Sequence, residues 1–188
     1  HNRCRRQRQM CIRDRIIDIG CGCGATTLEI AQQLESGEII GVDISEPMLD
    51  RATQNASDQS LSNASFQVLD VQVDEMPSDY EIAFSRFGVM FFEDPYQAFS
   101  NINNSLKENG QLCFVCWQNP SLNPWQSLSI QVIKEFLDLP SPPPKSPGPF
   151  AFEDKNYIKD ILDQSNFKDI EIDDCLLYTS PSPRDTRE

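Results

Sequence analysis

Ile16-Ile17-Asp18-Ile19-Gly20-Cys21-Gly22-Cys23-Gly24, with Leu28, Ala31 and Leu34 following at helical spacing, is the stretch from which the rest of the chain can be read. A short apolar run, a glycine turn and an amphipathic period predict strand, tight turn and helix. Residues 38–42 form a second apolar run closed by Asp43, and Ser45 is a suitable N-cap for a helix entered through Met48 and Leu49. Residues 66–71 and 81–87 read as third and fourth strands. Asp94 and Pro95 then open a helix whose stripe is Tyr96, Phe99, Ile102 and Leu106; Asn109-Gly110 ends it, and residues 111–117 make a fifth strand. Strands alternating with helices of this length predict a doubly wound, mainly parallel α/β sheet with helices on both faces. The proline-rich residues 139–149 can neither continue a helix nor pair centrally, and are expected to connect over one edge of the cleft. Residues 154–162 return to helix, and residues 167–172 are a last strand candidate.

The chain has 188 residues, of which 39% are apolar, enough for one domain with one ordinary core. Its 16 Lys and Arg stand against 29 Asp and Glu, a balance of −13 that argues against nucleic acid as a partner. No run of about 18 apolar residues exists, so no membrane span is expected, and the expected location is cytoplasmic. The two ends differ from the middle. Residues 5–14 and 175–185 back-translate to strings that resemble the paired adapters of transposase-based sequencing. Residues 1–15 and 175–188 are therefore expected to be non-native and to stand outside the domain of residues 16–174. Within that domain eight basic residues face 26 acidic ones, and there is no histidine. No histidine titration near 6.5 is then expected from that domain.

In an open α/β sheet, ligands bind beyond the carboxyl ends of the strands at the switch point, where Gly20, Gly22 and Gly24 fall. Glycines let backbone N–H groups approach a ligand closely, and the helix that follows favours a carboxylate. Asp43, at the end of the second strand, suits the two hydroxyls of a ribose. The pattern Gly20-x-Gly22-x-x-Ala25 also satisfies a dinucleotide fingerprint. Asp18, two residues before the first glycine, places an acceptor where a cationic amine could sit and a pyrophosphate would be repelled. Asp70 adds an acceptor where an adenine amino group would lie. An acid-ringed pocket suits a cationic sulfonium compound better than a dianionic cofactor.

These residues resemble the class I S-adenosylmethionine-dependent methyltransferases. Residues 16–24 look like the family's glycine motif and Gly41-Val42-Asp43-Ile44-Ser45 like its acidic ribose motif. Residues 84–92, 112–117 and 147–152 resemble a small-molecule branch of it. The resemblance implies a Rossmann-like methyltransferase fold and S-adenosylmethionine as methyl donor to a small organic acceptor. It implies that Asp18 and the loop backbone of Gly20, Cys21, Gly22 and Gly24 hold the methionine end and Asp43 the ribose. Ile44 and Met48 would pack on the adenine, Asp70 and Val71 would read its edge, and Ser85 would lie near the donor. Because the family carries helices before the first strand and closes its sheet with an antiparallel hairpin, the fold is expected to be incomplete at both ends.

Two rivals stay open: a nicotinamide-dependent oxidoreductase on the same glycine turn, and a donor-binding module without catalysis. Cys21, Cys23, Cys113 and Cys116 lack the spacing of a zinc ribbon or finger, so reduced thiols and no metal are expected. Phe91 and Phe92 suit core or pocket wall, Trp117 and Trp125 suit packing or an acceptor pocket, and Arg86 suits a surface ion pair or the site. Acceptors held by apolar walls such as Phe87, Phe91 and Trp125 are the first expectation.

Overall fold

The computed structural model describes residues 14–123, 128, 132–138, 143 and 145–175. Five parallel strands carry the architecture: β1 (Asp14–Ile19), β2 (Gly37–Asp43), β3 (Ala64–Val68), β4 (Tyr80–Arg86) and β5 (Leu106–Val115), in the order β3-β2-β1-β4-β5. Among the described residues the helices α1 (Ala25–Gln33), α2 (Glu46–Asp58), α3 (Pro95–Ser105) and α4 (Lys155–Gln164) join or follow them. The strand order runs outward from β1 to β3 and then restarts at β4 on the other side of β1. The crevice at the carboxyl ends of β1 and β4 is therefore the switch point.

Alternate residues of β1 serve opposite faces. Ile17 and Ile19 enter the larger apolar cluster with Val42, Ala83, Phe99, Ile102, Ile158 and Ile161, whereas Ile16 joins a smaller one with Ala31 of α1 and Ile39. The larger cluster is stitched by edge-on aromatic contacts: Phe99 meets Phe114 at 5.5 Å and 65° and Phe167 at 6.5 Å and 81°. Capping follows the sequence. Asp94 accepts from the Gln97 N–H at 3.0 Å ahead of Pro95, and Asp154 accepts from the Asn156 N–H at 2.8 Å. Ser45 holds the N-cap position of α2 without a side-chain capping bond.

Four boundaries differ from the sequence reading. β1 begins two residues earlier, at Asp14. The Arg15 N–H donates to Glu81 Oε2 at 2.6 Å and its guanidinium bonds Glu38 at 2.9 Å and Ser78 O at 3.0 Å, so the last two residues of the segment expected to stand outside the fold are paired in the sheet. β3 stops at Val68 rather than residue 71, because Asp70 folds into a turn: its carboxylate accepts the Gln72 N–H at 2.9 Å and its carbonyl accepts Val73 and Asp74. Asn109-Gly110 does not end a helix. α3 finishes at Ser105, Leu106 already pairs with Tyr80, and Asn109, at φ 64°, sits where the register slips before Ile82 pairs with Gln111. Residues 167–172 form no strand. Among the described residues β5 is an edge, and an open groove lined by Leu112, Phe114, Ile158, Phe167 and Ile172 lies between it and that segment, which pairs with no described strand.

Tyr80 is 1% exposed and its hydroxyl finds no partner among the described residues, while the Arg15 guanidinium lies 5.0 Å from its ring centre. A buried unpaired hydroxyl carries a desolvation cost that phenylalanine does not. Tyr80→Phe is expected to leave the unfolding free energy unchanged or raise it by up to about 1 kcal/mol in urea denaturation. A loss of more than about 1 kcal/mol would mean that the hydroxyl is engaged.

Candidate donor-binding site

The turn after β1 is built by hydrogen bonds to the neighbouring strand. The Gly20 and Cys21 N–H groups both donate to Val42 O, at 2.8 and 3.1 Å, and the Gly24 N–H returns to Cys21 O at 3.0 Å. Gly20, Gly22 and Gly24 all hold positive φ (67°, 56° and 78°). Two of them also have no room for a side chain. A Cβ on Gly20 would lie 2.8 Å from Gly88 Cα, and one on Gly24 would lie 2.8 Å from the Phe66 ring and 2.9 Å from Ala52 Cβ. Gly88 was not singled out from the sequence, yet it is what the donor loop rests on. Its own Cβ would come within 2.6 Å of Ile19 O.

Asp43 joins the loop to α2. Its Oδ2 accepts the Gly22 N–H at 2.9 Å and its Oδ1 the Ser45 N–H at 3.0 Å. A carboxylate has about four acceptor directions, so these two bonds leave capacity for two hydroxyl donors. Beside it stand Ile44, 73% exposed, and Met48, 41% exposed, whose terminal methyl would lie 3.0 Å from a Cβ on Gly22. Apolar side chains left open at the start of a helix, next to a carboxylate and a glycine loop, are what a flat heterocycle with a ribose would cover.

Asp18 is 1% exposed at the floor of this site and accepts the Thr27 hydroxyl at 2.7 Å. Burial pushes its carboxyl up to about 6; the Thr27 bond and the Arg86 charge pull it down, and the Asp43 charge pushes it up. Burial and the same two carboxylates push the Cys21 thiol up to about 12, so it stays protonated beside the loop. Because the folded chain holds the Asp18 proton more tightly than an unfolded one, with a value raised from 3.8, ligand-free stability falls as pH rises from about 4 to 6. Two units correspond to roughly 3 kcal/mol. The unfolding free energy of Asp18→Asn minus that of the parent should therefore grow across this window, and affinity for a ligand with an ammonium group should rise across it. A difference that is flat with pH would contradict the assignment.

The remaining expected residues are placed less simply. Asp70 stands where β3 leaves the sheet, tied to Asp43 through the Leu69 N–H to Asp43 O bond of 3.0 Å, but its Oδ1 is occupied by Gln72. Val71 is 4% exposed, with its side chain in the core and its carbonyl accepting Asn101 at 2.8 Å; only its backbone N–H can face a ligand. Ser85 does not open into the cleft. It is fully buried, and its hydroxyl donates to Ile19 O at 2.7 Å, holding the end of β4 against β1 beneath Gly88. Thr27, Gly41 and Phe66 were missed: Thr27 fixes Asp18, and a Cβ on Gly41 would strike Cys21 Sγ at 2.7 Å and Phe66 at 2.8 Å. Of the acceptor-side residues, Phe91 is 55% exposed, Phe92 packs edge-on against Phe99 at 6.1 Å, and Trp125 lies outside the described residues. The Gly148 N–H donates to Met90 O at 3.0 Å, which brings the end of the proline-rich connection to the turn after β4. Among the described residues no three metal-ligating side chains converge, and no helix is long and apolar enough to cross a membrane.

Comparison with known proteins agrees with this geometry. A family model described as a methyltransferase domain matches residues 13–133. Aklanonic acid methyltransferase DauC of Streptomyces sp. (strain C5) is 29% identical over 103 residues, covering 54% of this chain and 47% of that protein. Juvenile hormone acid O-methyltransferase of Bombyx mori is 27% identical over 181 residues, covering 89% of this chain and 61% of that protein. The chain thus spans about half the length of the curated relatives it matches. Haemonchus contortus phosphoethanolamine N-methyltransferase 2, solved in complex with S-adenosyl-L-methionine, shares the fold with a TM-score of 0.62 over 86% of this chain and 35% of that one, at 21% identity. With nearly two thirds of its length matched by that family model and its five-stranded parallel sheet carrying the glycine turn at the switch point, the chain belongs to the methyltransferase-domain family.

Proposed function

We propose that the chain binds S-adenosylmethionine across the carboxyl ends of β1 and β2, and that the protein transfers the donor's methyl group to a small organic acceptor. The observation that carries this reading is Asp18, a buried carboxylate under the glycine loop whose partner is a neutral hydroxyl rather than a cation. A ligand with an ammonium and a sulfonium relieves that charge, whereas the pyrophosphate of a dinucleotide would add to the repulsion. The donor supplies a methyl group already activated on a sulfonium sulfur. The residues then have three tasks: Asp43 fixes the ribose, Ile44 and Met48 cover the adenine, and the packed turn from Gly20 to Gly24 holds the methionine end. Without a histidine in residues 16–174, the acceptor's proton goes to a carboxylate, a tyrosine or water, or the acceptor arrives ionised or has no proton to lose.

The names of the two curated relatives refer to aklanonic acid and juvenile hormone acid, which supports a small molecule as acceptor class. Incubation with methyl-labelled S-adenosylmethionine and a panel of phenols, quinols, small acids, RNA and DNA tests this reading. Label should enter the organic extract of the small-molecule arms. Faster labelling of RNA or DNA would overturn it.

A further inference from the structure

Two opposite charges stand on one face of the sheet at the switch point without pairing. In a parallel ladder, residues in register point to the same face. Asp18 of β1 is in register with Phe84 of β4, so Arg86, two residues further along β4, lies on the Asp18 face where β1 has become the glycine turn. The core follows the same alternation: Ile17 and Ala83 enter the larger apolar cluster, while Ile16 and Ile82 belong to the smaller one with Ala31 of α1. Ser85, on the opposite face, spends its hydroxyl on Ile19 O at 2.7 Å and so fixes the strand end that carries Arg86.

Arg86 is exposed, and among the described residues its guanidinium forms no ion pair and donates no hydrogen bond. Anions are not scarce, since residues 16–174 hold 26 Asp and Glu against eight Lys and Arg. Lys107, Lys155 and Lys159 are paired with Glu81, Asp174 and Asp163, and Lys145 lies 4.1 Å over the Tyr157 ring. Among the described residues of this stretch, Arg86 is the basic side chain that ends a strand. Asp18 is its mirror image: buried, with the Thr27 hydroxyl rather than a cation as partner. The two sense each other, because burial raises the Asp18 carboxyl while the Arg86 charge, after the Thr27 bond, pulls it back. Yet they form no salt bridge with each other. A guanidinium and a carboxylate on one face that do not close on each other leave a gap with one positive and one negative wall.

We propose that Arg86 holds the carboxylate of the donor's amino-acid end while Asp18 holds its ammonium, so that the site recognises the zwitterion from both sides. This rests on the donor reading above. An α-amino acid carries its two charges on a single carbon, which suits a gap with one charge of each sign in its walls. A planar guanidinium can take a carboxylate through two parallel N–H bonds. A ligand that keeps the ammonium and lacks the carboxylate would satisfy Asp18 and leave Arg86 facing a second cation. Arg86 is then a specificity-determining residue for the donor, selecting the intact amino-acid end over nucleosides that lack its carboxylate.

Calorimetric titration of the full chain with S-adenosylhomocysteine and with its decarboxylated analogue, which keeps the ammonium, tests this. Arg86→Gln should weaken S-adenosylhomocysteine binding by about three- to thirtyfold, between the effect of an exposed ion pair and that of a charge-assisted hydrogen bond. The same substitution should leave the analogue's affinity unchanged or tighter, because the guanidinium repels its cation. Arg86→Lys keeps the charge without the fork and should bind S-adenosylhomocysteine with an affinity between those of the parent and Arg86→Gln. Equal weakening of both ligands in Arg86→Gln would make Arg86 part of the scaffold and overturn the proposal. An unchanged S-adenosylhomocysteine affinity in Arg86→Gln also overturns it and leaves the donor reading standing. A parent that binds neither ligand overturns the donor reading and this proposal together.

Discussion

Gly20→Ala is expected to lower the unfolding free energy by about 2–5 kcal/mol and to remove donor binding. Two costs add at this position. At φ 67° a Cβ meets its own backbone, which costs about 1–2 kcal/mol. The new methyl would also lie 2.8 Å from Gly88 Cα, and Gly88 cannot retreat because it is already packed on Ile19 O and Ser85 Oγ. Forcing atoms into such a contact costs about 1–3 kcal/mol more. Gly22→Ala is the control: it has the same kind of φ, 56°, but its Cβ meets only the end of the flexible Met48 side chain. Its stability loss should be limited to the backbone part. Urea midpoints at constant slope measure both. A Gly20→Ala loss no larger than that of Gly22→Ala would show that the Gly20–Gly88 contact is not the hinge on which the donor loop rests.

The second large effect is on affinity. Asp43→Ala should weaken S-adenosylhomocysteine binding by about 1–3 kcal/mol, because ribose hydroxyls would be left without acceptors. The substitution also frees the Gly22 and Ser45 N–H groups that the carboxylate now accepts, so loop and helix start lose a common anchor. Asp43→Asn keeps one acceptor oxygen and should fall between the two. Calorimetry on the three proteins gives the ranking. An Asp43→Ala affinity equal to the parent's would remove the ribose assignment.

The order of elements was legible in the sequence because β1 and β2 read as continuous apolar runs closed by a glycine turn and an aspartate, the signature of strands buried on both faces. Asp43 and the three loop glycines could be placed because their positions follow from strand ends, whereas Ile44 and Met48 came from the family resemblance alone. What escaped the sequence depends on contacts between distant segments. Nothing in Phe87-Gly88 announces that it packs on Gly20, and nothing in Ser85 says that its hydroxyl is spent on Ile19 O. With no histidine in residues 16–174, methyl transfer was expected to show no titration near 6.5; burial nevertheless raises Asp18 to about 6, against the downward pull of its Thr27 bond. Turn chemistry overrode the apolar run at Asp70. The strand expected at residues 167–172 failed for want of a neighbour, although Ile170 and Ile172 still pack on the core. Arg15 was assigned to the foreign end, yet it bonds Glu38 of β2, Glu81 of β4 and Ser78 in the loop before β4. Reading order along a chain does not reveal such partners.

The most direct test of the account is calorimetric titration of the full chain with S-adenosylhomocysteine and, separately, with NAD. The account predicts one site for S-adenosylhomocysteine, weakened in Asp43→Ala, and no heat of binding for NAD. Binding of NAD at that site, with none for S-adenosylhomocysteine, would contradict it.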